Sequence, residues 1–479
     1  METGTRAEFD LRAEPAILVG VHLPGDEGNA DDPLDELRAL AETAGVRAVG
    51  SLVQRRAAPR GKTYLGKGKV EELAAMCREL GAKVVVFDNE LAPSQIAELE
   101  KALSVKVLDR SELILDIFAN RATTRQAQLQ VEIAQLEYTA PRLRAMWNHL
   151  GQVTGGAPVG VGTRGPGEQQ IEIDRRIVKA KLDKLRRELG EIEERRAREV
   201  RQRREEHFTA ALVGYTNAGK STLFNALTRG GGAYVADKLF ATLGTRVEQW
   251  NLGGGNAAML SDTVGFVRRL PHHLVASFRA TLEDAIAAHV LLVVVDASDP
   301  DAPGQLATVR QVLDEIGAST QPRLLLLNKS DRLAERVAGE RAALERWIAS
   351  EPDALTISAR TGQGLDELAA RVMLLMKGDV RECTLRVPLS DGRTVDFLEK
   401  RVPVRSREWT DGSVELRVEI GRRQLEQLLA GGARMLVDGL APHEALRTMW
   451  PAPAAPARTR TRPHESYAVG EPPSDGGGE

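Results

Sequence analysis

The chain has 479 residues, which is too long for one ordinary domain and predicts two to four. Its composition, 42% hydrophobic and 28% charged, is that of a globular protein with a sizeable buried core. The net charge of −3 excludes a general attraction to nucleic acid, so a polyanion would have to be bound by a local basic patch.

The sequence favours a cytoplasmic location. Its two cysteines, Cys77 and Cys383, lie far apart and match no metal-binding spacing, as expected in a reducing compartment. The first residues, METGTRAEFD, lack the basic-then-apolar pattern of a secretion signal. The longest apolar run, HVLLVVVDA, is too short to cross a bilayer and contains Asp296.

An N-terminal α/β domain is predicted at residues 1–125. Its strands are AILVGVHL, VRAVGSLV, KVVVFD and VKVLD, and its helices are PLDELRALAETAG, VEELAAMCREL and PSQIAELEKAL. Strands that alternate with helices in this way indicate a parallel sheet.

Residues 126–206 predict an antiparallel helical hairpin. One heptad seam contains Leu129, Ile133, Leu136, Ala140, Leu143, Trp147 and Leu150, and a second contains Val178, Leu182, Leu185, Leu189 and Ile192. The connecting segment, GQVTGGAPVGVGTRGPGE, is too rich in glycine and proline for regular structure. We expect a flexible glycine-rich tip, and a kink at Pro141 in the first helix.

The rest of the chain predicts two folded segments and a tail. Residues 207–377 again alternate strands and helices, which indicates a mostly parallel sheet. Residues 378–450 predict a small C-terminal α+β domain with turns at Asp391-Gly392 and Asp411-Gly412. Residues 451–479, rich in Pro, Ala, Arg and Gly, predict a disordered tail. The predicted fold class is therefore multidomain α/β.

A phosphate-binding loop is predicted at GYTNAGKST, which follows the strand TAALV and opens the helical pattern STLFNALT. Its glycines allow backbone N–H groups to point into one concavity, next to the positive end of a helix. Lys220 can reach the β- and γ-phosphates, and the Ser221 hydroxyl is a ligand for Mg²⁺. The predicted contacts of this loop are Gly214, Tyr215, Thr216, Asn217, Ala218, Gly219, Lys220, Ser221 and Thr222.

The base is predicted to be guanine, because LLLLNKSD ends a strand with Asn-Lys-x-Asp. The Asp331 carboxylate accepts hydrogen bonds only, and guanine offers it two donors where adenine offers an acceptor. One strand later, TISAR supplies the Ala359 N–H for the guanine O6. The predicted base-binding residues are Asn328, Lys329, Asp331, Ser358, Ala359 and Arg360.

Two switch segments are predicted around the γ-phosphate. In the second, DTVGF, Asp262 supports Mg²⁺ and the Gly265 N–H meets the γ-phosphate, with Thr263 and Val264 also against the nucleotide. In the first, DKLFATLGTR, Thr242 is the predicted Mg²⁺ ligand and Thr245 its rival. The predicted metal ligands are Ser221, Thr242 and Asp262, the last directly or through water.

Phe266 occupies the place where many related hydrolases carry a catalytic glutamine. Its side chain has no donor or acceptor, so it cannot orient the attacking water. One interpretation is that Phe266 packs against a neighbouring helix while other groups position the water. A second, compatible interpretation is that hydrolysis is slow until a partner completes the site in trans. The predicted catalytic contacts are Lys220 and Gly265.

The sequence resembles the HflX-type GTPases over most of its length. The resemblance rests on YLGKGKVEEL, LDRSELILDIFANRA, QLQVEIAQLEY, GTRGPGEQQIEIDRR, VGYTNAGKSTLFNALT, DKLFATL and DTVGFVRRLPHHLVASFRATLEDA. It implies a translational GTPase that binds the large ribosomal subunit and separates stalled or stress-arrested ribosomes. It also implies that the N-terminal domain and the hairpin contact ribosomal RNA, and that a hydrophobic residue replaces the catalytic glutamine. We expect a monomer.

Candidate RNA contacts lie at two places. The glycine-rich tip carries Arg164, and Arg175 and Arg176 follow it. Lys67 and Lys69 in LGKGK are the second place, where the rival is an ATP site, although this loop lacks the full phosphate-loop spacing. A solvated coiled-coil face is the alternative for the charged hairpin, since acidic residues nearly balance the basic ones.

One departure from the family concerns the first switch. The family usually continues ATLDPTTR, whereas this chain has ATLGTR, which is two residues shorter. Thr242 stays in register, but a role for the later threonines is in doubt. The other functions left open are a ribosome-assembly or RNA-modification GTPase, and a signalling GTPase that binds a protein through its hairpin.

Overall fold

The structure is a computed structural model. It describes residues 14–24, 32–153, 166–228, 240, 245–268, 282–318, 320–333, 338–410 and 412–450. The chain divides into two compact units, Met1–Gly378 and Asp379–Glu479. The finer domain boundaries proposed above stay predictions.

The first sheet is four-stranded and parallel, in the order β2-β1-β3-β4. Its strands are β1 (Pro15–His22), β2 (Arg47–Arg55), β3 (Val84–Phe87) and β4 (Lys106–Asp109). The helices are α1 (Asp35–Ala44), α2 (Lys67–Glu79), α3 (Pro93–Leu103) and α4 (Arg110–Arg121). One core cluster contains side chains of α1 and α4, and another contains side chains of α2 and α3, so the sheet has a core on each face. The predicted α/β fold with a parallel sheet is confirmed.

Two long helices follow, α5 (Arg125–Val153) and α6 (Pro166–Glu206). They run antiparallel, because Lys181 pairs with Glu132 while Arg196, further along α6, bonds Gln126 near the start of α5. Their seam buries Leu129, Ile133 and Leu185. Helix α5 continues through Pro141, and the helices extend into both ends of the predicted irregular segment. The centre of the tip, residues 154–165, lies outside the described residues.

The second sheet has six strands in the order β10-β9-β8-β5-β7-β6. All neighbours are parallel except β6 and β7, which are antiparallel. The strands are β5 (Thr209–Gly214), β6 (Arg246–Gly253), β7 (Asn256–Asp262), β8 (Val290–Asp296), β9 (Arg323–Asn328) and β10 (Leu355–Thr356). The helices are α7 (Lys220–Thr228), α8 (Glu283–Ala287), α9 (Ala302–Glu315), α10 (Ser330–Leu333), α11 (Ala338–Ala349) and α12 (Leu365–Lys377).

The unit Asp379–Glu479 contains an antiparallel sheet in the order β12-β13-β11-β14. Its strands are β11 (Val380–Pro388), β12 (Val404–Thr410), β13 (Ser413–Gly421) and β14 (Leu436–Val437). Its helices are α13 (Gly392–Arg401), α14 (Arg422–Ala430) and α15 (Pro442–Met449). They enclose a core around Trp450.

The prediction of a turn at Asp391-Gly392 is wrong. Asp391 is the N-cap of α13, and its carboxylate accepts a hydrogen bond from the Thr394 N–H at 3.3 Å. Aspartate is favoured both in turns and at helix N-caps, and here the helix forms. The second predicted turn is consistent with the structure at Gly412, which has a φ of +79° between β12 and β13.

None of the helices within the described ranges is both long and apolar enough to span a lipid bilayer.

Candidate functional site

The phosphate loop joins the buried strand β5 to α7. Two of its positions require glycine, because a side chain there would collide with neighbouring atoms. A Cβ on Gly214, which has a φ of +153°, would lie 2.2 Å from the Val294 backbone oxygen. A Cβ on Gly219, with a φ of +92°, would lie 2.3 Å from Asn328 Nδ2. Asn217 also has a positive φ, of +60°. The loop therefore bends tightly against β8 and the end of β9, with α7 beginning at Lys220.

Lys220 is buried within the loop. Its Nζ donates to the backbone oxygens of Gly214 at 3.1 Å and Tyr215 at 2.7 Å. Burial lowers the pKa of the Lys220 ammonium to about 8, although the charge of Asp262 opposes this shift. The positive charge of Lys220 is therefore only partly balanced by neighbouring negative charge, and a bound phosphate would stabilise it.

Ser221 and Asp262 lie together where a metal is expected. The Ser221 Oγ donates to Asp262 Oδ2 at 2.8 Å, and Asp262 is completely buried at the end of β7. A hydroxyl and a carboxylate are hard oxygen ligands that suit Mg²⁺, so this pair fits the ion. Thr242, the predicted Mg²⁺ ligand of the first switch, lies outside the described residues. Thr245 is half-buried and precedes β6.

Thr263 and Val264 make contacts within the protein, and their predicted contacts with the nucleotide stay predictions. The Thr263 hydroxyl donates to the Leu212 backbone oxygen at 2.7 Å and is completely buried. Val264 packs in the core that contains Leu37 and Phe118 of the first sheet's helices. Both residues thus fix the end of β7 beside β5 and the first α/β domain.

The predicted base-binding residues converge from β9, α10 and the loop after β10. Asn328 Nδ2 donates to the Ala218 backbone oxygen at 2.9 Å, which joins the base motif to the phosphate loop. Asp331 Oδ1 accepts from the Ser358 hydroxyl at 2.7 Å. The Ala359 N–H donates to Asn328 Oδ1 at 2.9 Å, so its predicted bond to guanine O6 requires this amide to be shared or exchanged.

Other predicted nucleotide contacts surround these residues. Lys329 has a φ of +61° and its Nζ pairs with Asp296 Oδ2 at 2.8 Å. Arg360 and Asn217 are exposed, Thr222 is half-buried, and Thr216 and Ala218 are buried in the phosphate loop. The chain therefore brings the predicted phosphate and base residues to the carboxyl ends of the parallel strands, where such sheets bind ligands.

The second switch pairs with the phosphate loop through its backbone. The Phe266 N–H donates to the Gly214 oxygen at 3.1 Å, and the Thr216 N–H donates to the Phe266 oxygen at 2.7 Å. A Cβ on Gly265 would lie 2.7 Å from Thr216 Cγ2 and 3.0 Å from Lys220 Nζ. Gly265 thus lies directly against the phosphate loop.

The Phe266 side chain is 3% exposed. It belongs to a core cluster with Tyr215, Leu282 and Ala285, the last on α8. Its packing agrees with the first interpretation given for this position. The buried ring has no polar atom with which to hold water.

The candidate RNA contacts lie far from this site in the sequence. Lys67 is exposed at the first position of α2, and Lys69 pairs with Glu72 at 2.7 Å. Arg176 is exposed on α6. Arg164 and the side chain of Arg175 fall outside the described part of the chain.

Sequence reasoning missed a buried polar cluster that joins the first α/β domain to the second switch. Its members are Glu36, Asp88, Arg110, Tyr215 and the backbone of Arg268. The local sequence LDRSELILD gave no clear signal, because Arg110 stands beside Asp109, Ser111 and Glu112 and could equally have been an exposed charged residue. Its partners could not be identified, because they are distant in sequence.

Four families match successive parts of the chain. Residues 31–119 match "GTP-binding GTPase N-terminal", and residues 121–203 match "GTP-binding GTPase Middle Region". Residues 209–329 match "50S ribosome-binding GTPase", and residues 343–435 match "HflX C-terminal domain". The matches cover both the nucleotide site and the preceding hairpin.

Several proteins named GTPase HflX are similar to this chain. The one from Lacrimispora saccharolytica is 45% identical over 74% of this chain and 81% of its own length. The Escherichia coli protein is 39% identical over 85% of this chain and 93% of its own length. That of Magnetococcus marinus is 46% identical over 75% of this chain and 81% of its own length. The crystal structure of SsGBP with GDP aligns at 23% identity and a TM-score of 0.42, over 76% of this chain and 98% of that chain.

Proposed function

The chain belongs to the HflX family of GTPases, and from this premise we propose that it docks on the large ribosomal subunit in its GTP-bound form and separates stalled ribosomes into subunits. The observation that carries the proposal is the match of residues 209–329, which include the phosphate loop and the second switch, to a family described as 50S ribosome-binding GTPases. The hairpin immediately before this domain supplies a surface that could reach RNA.

Binding of GTP is assigned to the converging motifs. The N–H groups of the phosphate loop and the Lys220 ammonium bind the β- and γ-phosphates, and Asp331 accepts from the guanine edge. Ser221 and Asp262, with Thr242 as a further candidate, hold Mg²⁺. When bound, the ion neutralises charge on the phosphate oxygens.

Hydrolysis requires water to attack the γ-phosphorus while the bond to the leaving GDP oxygen breaks. Lys220 stabilises the charge on the phosphate oxygens, and the Gly265 N–H orients the γ-phosphoryl group. Phe266 excludes water from the space behind the switch but cannot aim the attacking molecule, because its ring is buried and apolar. A group from the ribosome would complete the site, so turnover depends on docking.

The hairpin is proposed as the RNA-binding arm. Arg176 is exposed, and Arg175 and Arg164 precede it in the sequence, on the side of the predicted tip. Arginines at the end of such an arm can neutralise phosphates of a packed RNA surface. Lys67, exposed at the start of α2, is a second proposed contact, with Lys69 beside it.

Co-sedimentation tests the proposal. Purified protein with a non-hydrolysable GTP analogue is centrifuged with whole ribosomes, separated subunits, or neither, at moderate salt. We expect the protein to pellet with large subunits with the analogue and much less with GDP, and whole ribosomes to separate when GTP is present. Absence of the protein from every ribosomal pellet would refute the proposal and favour a signalling GTPase. Binding to immature subunits without separation of whole ribosomes would favour an assembly or RNA-modification GTPase.

A matched pair of variants tests the arm. Arg176→Gln removes one positive charge near the tip, and Arg187→Gln removes an equal charge from an exposed position on the same helix. Residue 187 lies about 16 Å nearer the base, at 1.5 Å per helical residue. We expect Arg176→Gln to weaken large-subunit binding and to reduce its salt dependence, and Arg187→Gln to have a smaller effect. Equal losses of large-subunit binding in the two variants would mean that the helix binds through its positive charge along its whole length and not through the residues near the tip.

A further inference from the structure

Arg110 is the centre of a buried ionic cluster between the first α/β domain and the second switch. Its guanidinium donates to Asp88 Oδ1 at 2.6 Å and to Glu36 Oε2 at 2.6 Å. The same Nη2 donates to the Arg268 backbone oxygen at 3.0 Å. Arg110 is only 3% exposed, so these bonds satisfy a charge that water does not reach.

Tyr215 extends the cluster into the phosphate loop. Its hydroxyl donates to Glu36 Oε1 and accepts from the Arg268 N–H at 2.8 Å. The Arg268 N–H also approaches Glu36 Oε1 at 3.3 Å. The backbone of Arg268 is therefore bonded at both its N–H and its C=O. We call Glu36, Asp88, Arg110 and Tyr215 the Arg268 clamp.

Apolar contacts support the clamp on the same side of the switch. Val264 and Val267 are 6% and 1% exposed and belong to the core of the first α/β domain, together with Phe118 of α4. Phe240, from the first switch, meets the Phe118 ring edge to face with centroids 4.6 Å apart. Both switches thus have a side chain embedded in the neighbouring domain.

The charges of the clamp depend on one another. Burial opposes the charge on Arg110, but Glu36 and Asp88 outweigh it and raise the pKa of the guanidinium. Burial, followed by the negative charge of Glu36, raises the pKa of the Tyr215 hydroxyl well above its usual value. Tyr215 therefore remains a hydrogen-bond donor to Glu36 at physiological pH, and loss of one partner weakens the whole cluster.

We propose that Glu36 and Arg110, together with the Tyr215 hydroxyl, are positioning residues that set how strongly the site prefers GTP over GDP. The clamp fixes the switch only three residues after Gly265, and Phe266 is bonded to the phosphate loop between them. The γ-phosphate needs the Gly265 N–H, whereas GDP makes no such demand on the switch.

The clamp holds the switch where Gly265 lies directly against the phosphate loop, and a Cβ on Gly265 would be 3.0 Å from Lys220 Nζ. This placement keeps Gly265 beside the lysine that binds the γ-phosphate, so GTP gains from a switch that is already positioned and GDP does not. A ligand that has to order the switch itself loses the corresponding free energy from its affinity. The clamp thus strengthens GTP binding relative to GDP binding, and the effect does not depend on whether the protein docks on a ribosome.

Two single substitutions and their combination test the proposal. Tyr215→Phe removes only the hydroxyl and keeps the ring and the loop backbone. Glu36→Gln removes the charge that faces Arg110 and the Arg268 N–H. The matched control is Glu42→Gln, which changes the same charge at an exposed position of the same helix. For each protein, the dissociation constants of GDP and of a non-hydrolysable GTP analogue are measured by titration, and folding is checked by circular dichroism.

We expect both single variants to shift the ratio of the two dissociation constants in favour of GDP by about fivefold or more, because the GTP analogue loses a positioned contact. The double variant should shift it no further than the larger single effect, since both substitutions open the same clamp. A ratio within twofold of the unmodified protein in both folded single variants would overturn the proposal. A ratio shifted towards the GTP analogue, or fully additive shifts, would overturn it as well. A loss of stability alone would not move this ratio, because it compares two ligands on one protein.

Discussion

Asp331 is the residue on which we propose that base selection depends. Its carboxylate accepts a hydrogen bond from the Ser358 hydroxyl at 2.7 Å. The Asp331 carboxylate can accept two hydrogen bonds from guanine, one from the N1–H and one from the exocyclic amine. In Asp331→Asn one of its oxygens becomes an NH2 group that donates, so GTP binding should weaken by about tenfold or more. Xanthosine triphosphate carries an oxygen in place of the guanine amine, and its affinity should rise. Nucleotide titrations measure both changes, and unchanged GTP affinity would contradict the assignment.

The Lys220 ammonium predicts a pH dependence of GTP binding. Its pKa is about 8 in the ligand-free site because of burial, and bound phosphate would raise it. The complex then holds more protons than the free protein above pH 8, so affinity falls as pH rises through this value. Between pH 7 and 9 the expected loss is about tenfold. Titration with a GTP analogue across this range measures it, and a constant dissociation constant would contradict it.

The same shift has the opposite effect on folding. The pKa of Lys220 is lower in the folded chain than its ordinary value of 10.5, so between about pH 8 and 10.5 the unfolded chain binds more protons. This lysine therefore contributes a stability that increases with pH over that window. As the pH rises above about 8, nucleotide affinity should therefore fall while the free energy of unfolding rises, so a loss of binding in this range cannot be attributed to unfolding.

Residues close in sequence were predictable, and residues brought together by tertiary structure were not. Gly214 to Ser221 and Asn328 to Asp331 form their sites within short segments, so spacing alone identified them. Glu36 and Tyr215 are separated by 179 residues, and Arg110 and Arg268 by 158. Nothing in the local sequence pattern pairs such residues, and Arg110 stands among polar neighbours that gave no sign of its burial.

At the scale of elements, the second switch is limited by its approach to the phosphate loop. In Gly265→Ala the new Cβ would lie 2.9 Å from Thr216 Cα and 3.0 Å from Lys220 Nζ. Backbone cannot move aside as a flexible side chain can, so the switch should be displaced from the γ-phosphate. We expect GTP turnover to fall by about tenfold or more, with GDP affinity changed less than twofold.

The control for this experiment is Gly190→Ala, at a helical position with no atom within 4 Å of the added Cβ. Single-turnover hydrolysis and GDP titration are measured for both variants. If Gly265→Ala hydrolysed GTP as fast as the control, a side chain at residue 265 would be tolerated and the prediction would be wrong.

Helix α6 is fixed to the nucleotide domain through Asp284 of α8. Arg196 Nη2 and Arg203 Nη1 donate to the two Asp284 oxygens at 2.7 and 2.9 Å, and the carboxylate is only 5% exposed. Asp284→Asn leaves two partly buried arginines without their counter-charge and should cost about 1–3 kcal/mol. Thermal unfolding should begin several degrees earlier than in the exposed control Glu191→Gln. Equal midpoints would mean that this junction contributes no stability.

Elements were predicted best where periodicity was strong. The strands and helices of the first sheet follow their apolar patterns, and the hairpin seam buries Leu129, Ile133 and Leu185 as heptads require. The error at Asp391-Gly392 arose because an aspartate can cap a helix as well as open a turn. Helix α5 continues through Pro141, as its heptad seam predicts, and the kink expected at this proline stays a prediction.

At the scale of the whole molecule, the nucleotide site shares its switches with the domain before it. Val264, Val267 and Phe240 are part of the first α/β domain's core, and α6 is fixed to α8. An event at the γ-phosphate could therefore reach both the first domain and the hairpin, the two parts proposed to contact ribosomal RNA. Phe266, which lacks any polar group, fits an enzyme whose turnover awaits such a contact.

The most direct test of the central claim is GTP turnover measured with and without purified large ribosomal subunits. Dependence on docking predicts a low rate for the protein alone and an increase of about tenfold or more with subunits, since groups supplied in trans can accelerate hydrolysis by orders of magnitude. The Arg176→Gln variant should require more subunits for the same increase. Equal rates with and without large subunits would contradict the account of Phe266 and of ribosome-dependent hydrolysis.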